Sequence, residues 1–413
     1  MLDRDTQELL TRIGPGTRMG SLLRRYWMPL LPSVDLPPDN TRGVRLLGEN
    51  LTAFRTRDGT LGLLAERCPH RGCALTVGCV DGQGLRCAYH GWRFATDGRC
   101  LDLPAEPKDS PLYRRVQATA YPVAEMGGLI FAYLGPSPAP LLPRFDLFVW
   151  DHVLRDIGIA ELPCNWLQIM ENSVDPHHVE WLHGWYFKQV ASQQGLPAAP
   201  AYHKKHIKVG FDLFEYGIIK RRIVTGQTEA DDDWRIGHPL IFPIMVRVGS
   251  NGQHVFQIRV PIDDRHTRHF WYTCWRPLAG IKVPIQESVP SYSVPWQNEG
   301  GGFMVDTIPG QDIMTWVSQG AIADRTTEQL ASSDIGVTLF RKLLLSQLGV
   351  VERNEDPIGV LRDPEQNHLI ALPQEGDRFG GGKAFFDDLL SVGHSRYSPI
   401  RDKVRALFGD SAR

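Results

Sequence analysis

No block of like charge runs through this chain. With 45 basic and 47 acidic side chains in 413 residues, the formal net charge is −2. That balance gives no electrostatic reason to expect a polyanionic partner, so nucleic acid is not expected. Long apolar runs are missing too. The longest, such as Leu129 to Leu134, fall far short of the roughly 20 residues that cross a bilayer, so no membrane association is expected. The opening residues, MLDRDTQELLTRIG, hold no basic stretch leading into an apolar core. The expectation is therefore no secretory signal and a cytoplasmic location. Internal repeats and low-complexity segments are absent. Cysteine is sparse and odd in number, seven in all, which does not make a secreted disulfide framework. Four of the seven nevertheless fall between Cys68 and Cys87. In a reducing compartment such clustering points to metal.

What is present is an ordinary soluble composition, 42% apolar and 22% charged, long enough for one large and one smaller core. Asp3 to Ile13 has helical spacing and stops at Gly14-Pro15-Gly16. From about Trp27 to Leu134, short apolar runs alternate with Gly, Pro, Asp and Asn, which predicts a small all-β domain. Arg57-Asp58-Gly59 and Thr96-Asp97-Gly98 read as hairpin turns. Four prolines between Pro136 and Pro143 mark a linker. Beyond it, Asn165 to Trp185 is expected to be helical. Ile207 to Ile223, Val255 to Val260 and His269 to Trp275 are expected to be long strands. Thr326 to Leu348 returns to a helical period, with Ile335, Leu339, Phe340, Leu343 and Leu344 on one stripe and Ser332 or Ser333 as a cap. The expected organisation is a helical segment (1–25), a small all-β domain (26–135), a linker (136–143) and a larger domain (144–413) with an antiparallel sheet covered by helices on one side. The fold class is α+β.

The cysteine cluster has a specific form. Cys68-Pro69-His70 is followed, after sixteen intervening residues, by Cys87-Ala88-Tyr89-His90. The pattern C-x-H…C-x-x-H supplies two thiolates for one iron and two imidazoles for the other, the donor set of a Rieske [2Fe–2S] cluster. Two neutral His in place of two Cys raise its potential above that of an all-Cys ferredoxin. Gly72 and Gly91 allow the tight turns. A Cys₂His₂ zinc finger instead places its two His together on a helix, and an all-Cys cluster would have to recruit Cys73 or Cys79. Cys73, Cys79, Cys100, Cys164 and Cys274 are expected to be small buried residues.

Taken with its flanks, the chain resembles the α subunit of a Rieske non-haem iron oxygenase, in particular the phthalate dioxygenase and α-only aromatic O-demethylase subgroup. The resemblance begins at Pro15-Gly16-Thr17 and Arg24-Arg25-Tyr26-Trp27. It runs through the cluster motif, Asp233-Trp234-Arg235 and Gly237-His238-Pro239-Leu240, and ends with Gln319-Gly320 and Ala323-Asp324-Arg325. Its D-x-x-H-x-x-x-x-H pattern falls on Asp175, His178 and His183. This implies that the two His bind a mononuclear Fe(II), which needs few protein ligands and open positions. His177 competes with His178, but the family spacing favours His178. Residues five apart lie about 140° apart around an ideal helix, so the imidazoles converge only if the helix bulges or ends between them, and Gly184 is placed to end it. Satisfied helix histidines are the plainer alternative. The resemblance also casts Asp175 as a bridge from an iron ligand to a cluster ligand of the neighbouring subunit, alongside a simpler role as helix cap. It places the third ligand at Asp312, with Asp306 the runner-up.

The family's cycle is then expected. NAD(P)H is used indirectly, through a flavin/iron-sulfur reductase or a ferredoxin. The cluster passes electrons on, and O₂ is activated at the mononuclear iron to attack an aromatic acid, by dihydroxylation or by monooxygenation with O-demethylation or ether cleavage. The cluster of one subunit is implied to serve the iron of the next in a head-to-tail homotrimer, or a stacked hexamer, without a β subunit. Arg221, Arg222 or Arg247 is a candidate for holding a substrate carboxylate. Trp185, Phe187, Phe242, Met245 and Phe303 are candidates for an aromatic pocket. The competing function is a Rieske electron-transfer protein fused to a non-catalytic binding domain, which should lack the iron triad.

Overall fold

A computed structural model describes residues 1–195, 202–249, 252–277, 280–374, 387 and 390–409. The first helix, Arg4–Thr11, is capped by Asp3, whose Oδ1 accepts from the Thr6 amide at 2.7 Å. It buries Leu10, and Ile13 just beyond its end is buried too.

Three small antiparallel sheets follow. Met28–Pro32, Leu129–Ala132 and Val123–Met126 form one; Asn40–Leu46, Glu49–Arg55 and Leu61–Ala65 form the second; Cys79–Asp81, Gly84–Arg86, Arg93–Ala95 and Cys100–Asp102 form the third. Short strands are what frequent Gly and Asp turns permit. Gly59 and Gly98, with φ of 92° and 81°, occupy the left-handed turn positions that side chains disfavour.

Beyond Leu134 an eight-stranded sheet dominates. In spatial order it runs His206–Phe214, Gly217–Val224, His238–Ile241, Met245–Val248, Gln253–Asp263, His266–Trp275, Leu154–Leu162 and Ser291–Ser293. Every pairing is antiparallel except the last, where Ile157 meets Ser291 in parallel register. Alternation along the central strands divides the two faces. Phe256, Ile258, Val260, Phe270 and Tyr272 enter the main core, whereas Val255 and Trp271 pack on the other side.

Several elements differ from expectation. Ile207 to Ile223 is a hairpin rather than one strand, turning at Glu215-Tyr216. Gly217 closes the turn with φ 146°, and a Cβ there would lie 2.3 Å from the Leu240 carbonyl. Residues 326–334 are not α-helical. The long helix is Ile335–Glu352, entered through a 3₁₀ turn in which Asp334, not Ser332 or Ser333, accepts from the Ala331 amide at 2.7 Å. Ile335 is exposed and stands off the apolar stripe. Asn165 to Trp185 is broken into Trp166–Ser173 and a π-helix over Val179–Tyr186. Among the described residues no helix is long and apolar enough to cross a membrane.

Candidate metal centres

The first pair of half-motifs sits on two loops with the same backbone design. In each, the Cys amide donates to a carbonyl five residues on (Cys68 to Cys73 at 2.9 Å, Cys87 to Trp92 at 2.8 Å). Each Cys carbonyl accepts from a glycine four residues on, Gly72 at 2.9 Å and Gly91 at 3.1 Å. Those glycines have φ of 72° and 71°, conformations that favour glycine. The result is two turns that bury the thiols of Cys68 and Cys87 while leaving His70 exposed and His90 half-buried. The His rings lie 4.4 Å apart at 72°, and Trp92 stacks on His70 at 4.2 Å. Burial, with Cys87 alongside, pushes the Cys68 thiol up to about 11. Two buried thiols cannot both ionise side by side without a cation, which is the condition iron supplies. The donor set fits a [2Fe–2S] group. Cys73 is only half-buried, and Cys79 is exposed rather than buried because it opens a short surface strand.

The second constellation is assembled from two elements far apart in sequence. Among the described residues His178, His183 and Asp312 offer ligand atoms all within 4.8 Å of one another. Asp312 lies in the helix Ile308–Ser318, which Thr307 caps through a 3.2 Å bond from the Gly310 amide. Its Oδ1 sits 3.2 Å from His183 Nε2 and 3.9 Å from His178 Nε2. Burial alone would raise the Asp312 carboxyl, but His183, His178 and Arg259 hold it below the usual carboxylate range. Oδ1 is buried and accepts no hydrogen bond of good geometry. A carboxylate oxygen left so between two imidazole edges fits a divalent ion.

Convergence comes from the bulge, not from a helix end. The π-turn alters the rotation between His178 and His183, and the helix then continues through Phe187–Gln194. Gly184 is interior to it. Its reason is a close approach, since a Cβ there would lie 2.6 Å from the His203 Cα. Asp175 does cap the helix start, accepting from the His177 amide at 2.8 Å and the His178 amide at 3.3 Å. Its carboxyl is held down to about 2, the His178 contact overcoming the opposing effect of burial. The Asp175 carbonyl lies 2.6 Å from His178 Nδ1, which leaves Nε2 toward Asp312. His177 turns instead toward His206, ring centres 5.2 Å apart. Asp306 pairs with Arg396 at 2.7 Å.

Two residues with no motif of their own complete the centre. Gln311, fully buried, brings Oε1 to 2.9 Å from His183 Nδ1 while its Nε2 donates to the Val305 carbonyl at 2.8 Å. Gln168 donates to the carbonyls of Trp316 and Gly320 at 2.7 and 2.9 Å, tying the Trp166–Ser173 helix to the Asp312 helix. Only adjacency to Asp312 marked Gln311 in the sequence, and nothing marked Gln168.

The triad opens into a cavity of about 160 Å³, walled by Val246, Val248, Val255, Trp271 and Ile308 with Lys220 and Arg259. None of the expected pocket residues lines it. Phe242 and Met245 lie on the opposite face of the sheet, Trp185 is exposed, Phe187 is buried in helix packing and Phe303 packs on Trp296. The three candidate arginines are also elsewhere. Arg221 pairs with Asp212 at 2.6 Å, Arg222 with Asp233 at 3.1 Å and Arg247 with Asp146 at 2.6 Å. Strand parity decides this for Arg221 and Arg247, each one residue from a side chain that lines the cavity, whereas Arg222 shares the parity of Lys220 but lies further along the strand, against Asp233.

Comparisons agree with this picture. A family model described as "Rieske [2Fe-2S] domain" matches residues 26–122, and "LigXa C-terminal domain like" matches 132–285 and 297–372. The chain is 39% identical to the 5,5'-dehydrodivanillate O-demethylase oxygenase subunit of Sphingobium sp., over 90% of this chain and 87% of that one. It is 33% identical to the phthalate 4,5-dioxygenase oxygenase subunit of Pseudomonas putida, over 87% and 89%. Among solved structures, NdmA of Pseudomonas putida CBB5 shares the fold, with a TM-score of 0.61 at 20% identity over 82% of this chain and 94% of that one.

Proposed function

We propose a reaction for this chain from one established premise: it belongs to the Rieske non-haem iron oxygenases, as the terminal oxygenase subunit of a multicomponent system. The proposed reaction is O₂-dependent hydroxylation of an aromatic acid, either as cis-dihydroxylation or as monooxygenation that releases an O-methyl group or cleaves an ether. The observation that carries it is the His178, His183, Asp312 group on the wall of a partly open, mostly apolar cavity. A non-catalytic binding domain has no need of that group. The printed activities of the relatives, an O-demethylase and a ring dioxygenase, support the same substrate class.

In this reading Cys68, Cys87, His70 and His90 hold the [2Fe–2S] cluster, and His178, His183 and Asp312 hold Fe(II). When bound, these groups supply single electrons and a site for reducing O₂. The protein does the rest. Gln311 and the Asp175 carbonyl hold the Nδ1 sides of His183 and His178 and turn their Nε2 atoms inward. The apolar walls exclude water and keep the ring beside the triad. His70, which is exposed, and His90, which is half-buried, form the side of the cluster site nearest solvent and are the proposed exit for electrons.

Assembly follows the same logic. Asp175 keeps about a quarter of its side chain exposed, and Trp181 and Trp185 on the π-helix are 67% and 44% exposed. These suit contact with a neighbouring subunit's cluster loops in a head-to-tail trimer, with Asp175 as the bridge. A flavin/iron-sulfur reductase, with or without a ferredoxin, is the proposed electron donor, and the cytoplasm the proposed compartment.

The test supplies purified protein with a reductase, NADH and ¹⁸O₂, and a panel of benzoates, phthalates, phenoxybenzoates and methoxybenzoates. Two labelled oxygens in the product establish dihydroxylation. A demethylated or singly labelled product establishes monooxygenation. NADH consumption with no labelled product from any compound overturns the aromatic-acid reading.

A further inference from the structure

We infer that Arg259 anchors the carboxylate of an aromatic substrate in the cavity beside the metal-binding triad; this rests on reading that triad as the oxygenase centre. Arg259 sits in the middle of the strand Gln253–Asp263. Its neighbours Ile258 and Val260 belong to the apolar core, so alternation turns Arg259, with Val255 and Gln257, to the cavity side.

Arginine is rarely so buried without a carboxylate to match it. Arg222, Arg247 and Arg325, also at most 3% exposed, each have one: Asp233, Asp146 and Glu171. Arg259 is 1% exposed and makes no such ion pair among the described residues. Its Nη groups donate to the carbonyl and side-chain oxygens of Gln257, at 2.9 and 2.6 Å, and its Nε is buried with no acceptor. The Gln257 amide oxygen is a neutral acceptor that a carboxylate oxygen outcompetes, because a charge-assisted bond is the stronger.

The acid that influences Arg259 is Asp312, whose charge is taken up when the triad holds a divalent ion. Lys220, a second cation on the cavity wall, donates to the Ser173 carbonyl at 2.9 Å. With the Asp312 charge taken up by the ion, Arg259 leaves positive charge on this wall of the cavity, and a low-dielectric setting strengthens its field. A planar carboxylate matches the guanidinium fork; an amide or ester of the same ring gains neither the charge nor the second bond.

The experiment uses the intact, iron-loaded oxygenase without O₂, titrated calorimetrically with 3-methoxybenzoate, phthalate and their methyl esters. The wild-type protein is expected to bind the acids about tenfold or more tightly than the esters. Arg259→Met is expected to bring acid and ester within about threefold of each other, with cluster absorption and iron content retained. Arg259→Lys, which keeps the charge but not the fork, is expected to fall between the two. Equal binding of acid and ester by the wild type, or an undiminished preference in Arg259→Lys or Arg259→Met, overturns the inference, as does binding of neither class. If Arg259→Met fails to accumulate, the wild-type and Arg259→Lys titrations still decide. Acid preference without ¹⁸O incorporation would overturn the aromatic-acid reaction proposed above while leaving the anion site standing, so the two failures are distinguishable.

Discussion

Gln311 Oε1 lies 2.9 Å from His183 Nδ1, so one helix turn supplies both the carboxylate of the candidate metal triad, Asp312, and the group that orients the imidazole opposite it. Neighbours in sequence thereby serve two different sides of the same centre.

Gln311→Leu is expected to weaken iron binding by about 10–100-fold, the usual cost of removing a partner that orients a ligand imidazole. Gln311→Glu, which keeps an acceptor, should retain most of it. Chelator competition measures this, and unchanged cluster absorption separates it from misfolding. Equal iron affinity in Gln311→Leu would remove the residue from the centre.

Asp312 and Asp306 make a controlled comparison. Asp312→Asn removes the charge facing both imidazoles, so iron content and product formation should collapse while the cluster spectrum stays intact. Asp306→Asn disturbs only the contact to Arg396 and should keep its iron. Iron assay of the two purified variants decides which carboxylate serves.

Gly184→Ala places a methyl group against the His203 backbone rather than lengthening a helix. The expected cost is about 1–3 kcal/mol, as for other overpacked sites. A lowered melting temperature with reduced iron occupancy would fit, because His183 is the adjacent residue. Wild-type stability in this variant would show that the contact relaxes freely.

Asp146→Asn breaks a pair in which both side chains are about 3% exposed. Removing the Asp146 charge from this buried contact should cost about 3–5 kcal/mol. Thermal unfolding reads the loss, and substrate preference should not change, since Arg247 stands away from the iron cavity.

The sequence by itself supplied the candidate donor sets of the two proposed metal centres. Spacing alone paired Cys68 with His70 and Cys87 with His90, because each half-motif is a short loop whose geometry is local. Asp175 as a helix cap was legible for the same reason. Hairpin turns at Gly59 and Gly98 were readable from residue type, since few other residues take those dihedrals. Only the tertiary structure decided what depended on long-range placement. The bulge that brings His178 to His183 cannot be read from a 3.6-residue period. Gly184 looked like a terminator but answers to a segment that folds back over it. The arginine facing the cavity was settled by strand register, where one residue of offset exchanges core for site. Arg221, Arg222 and Arg247 were the candidates in the sequence and Arg259 was not among them, because sequence records which residues are near along the chain and burial depends on which are near in space.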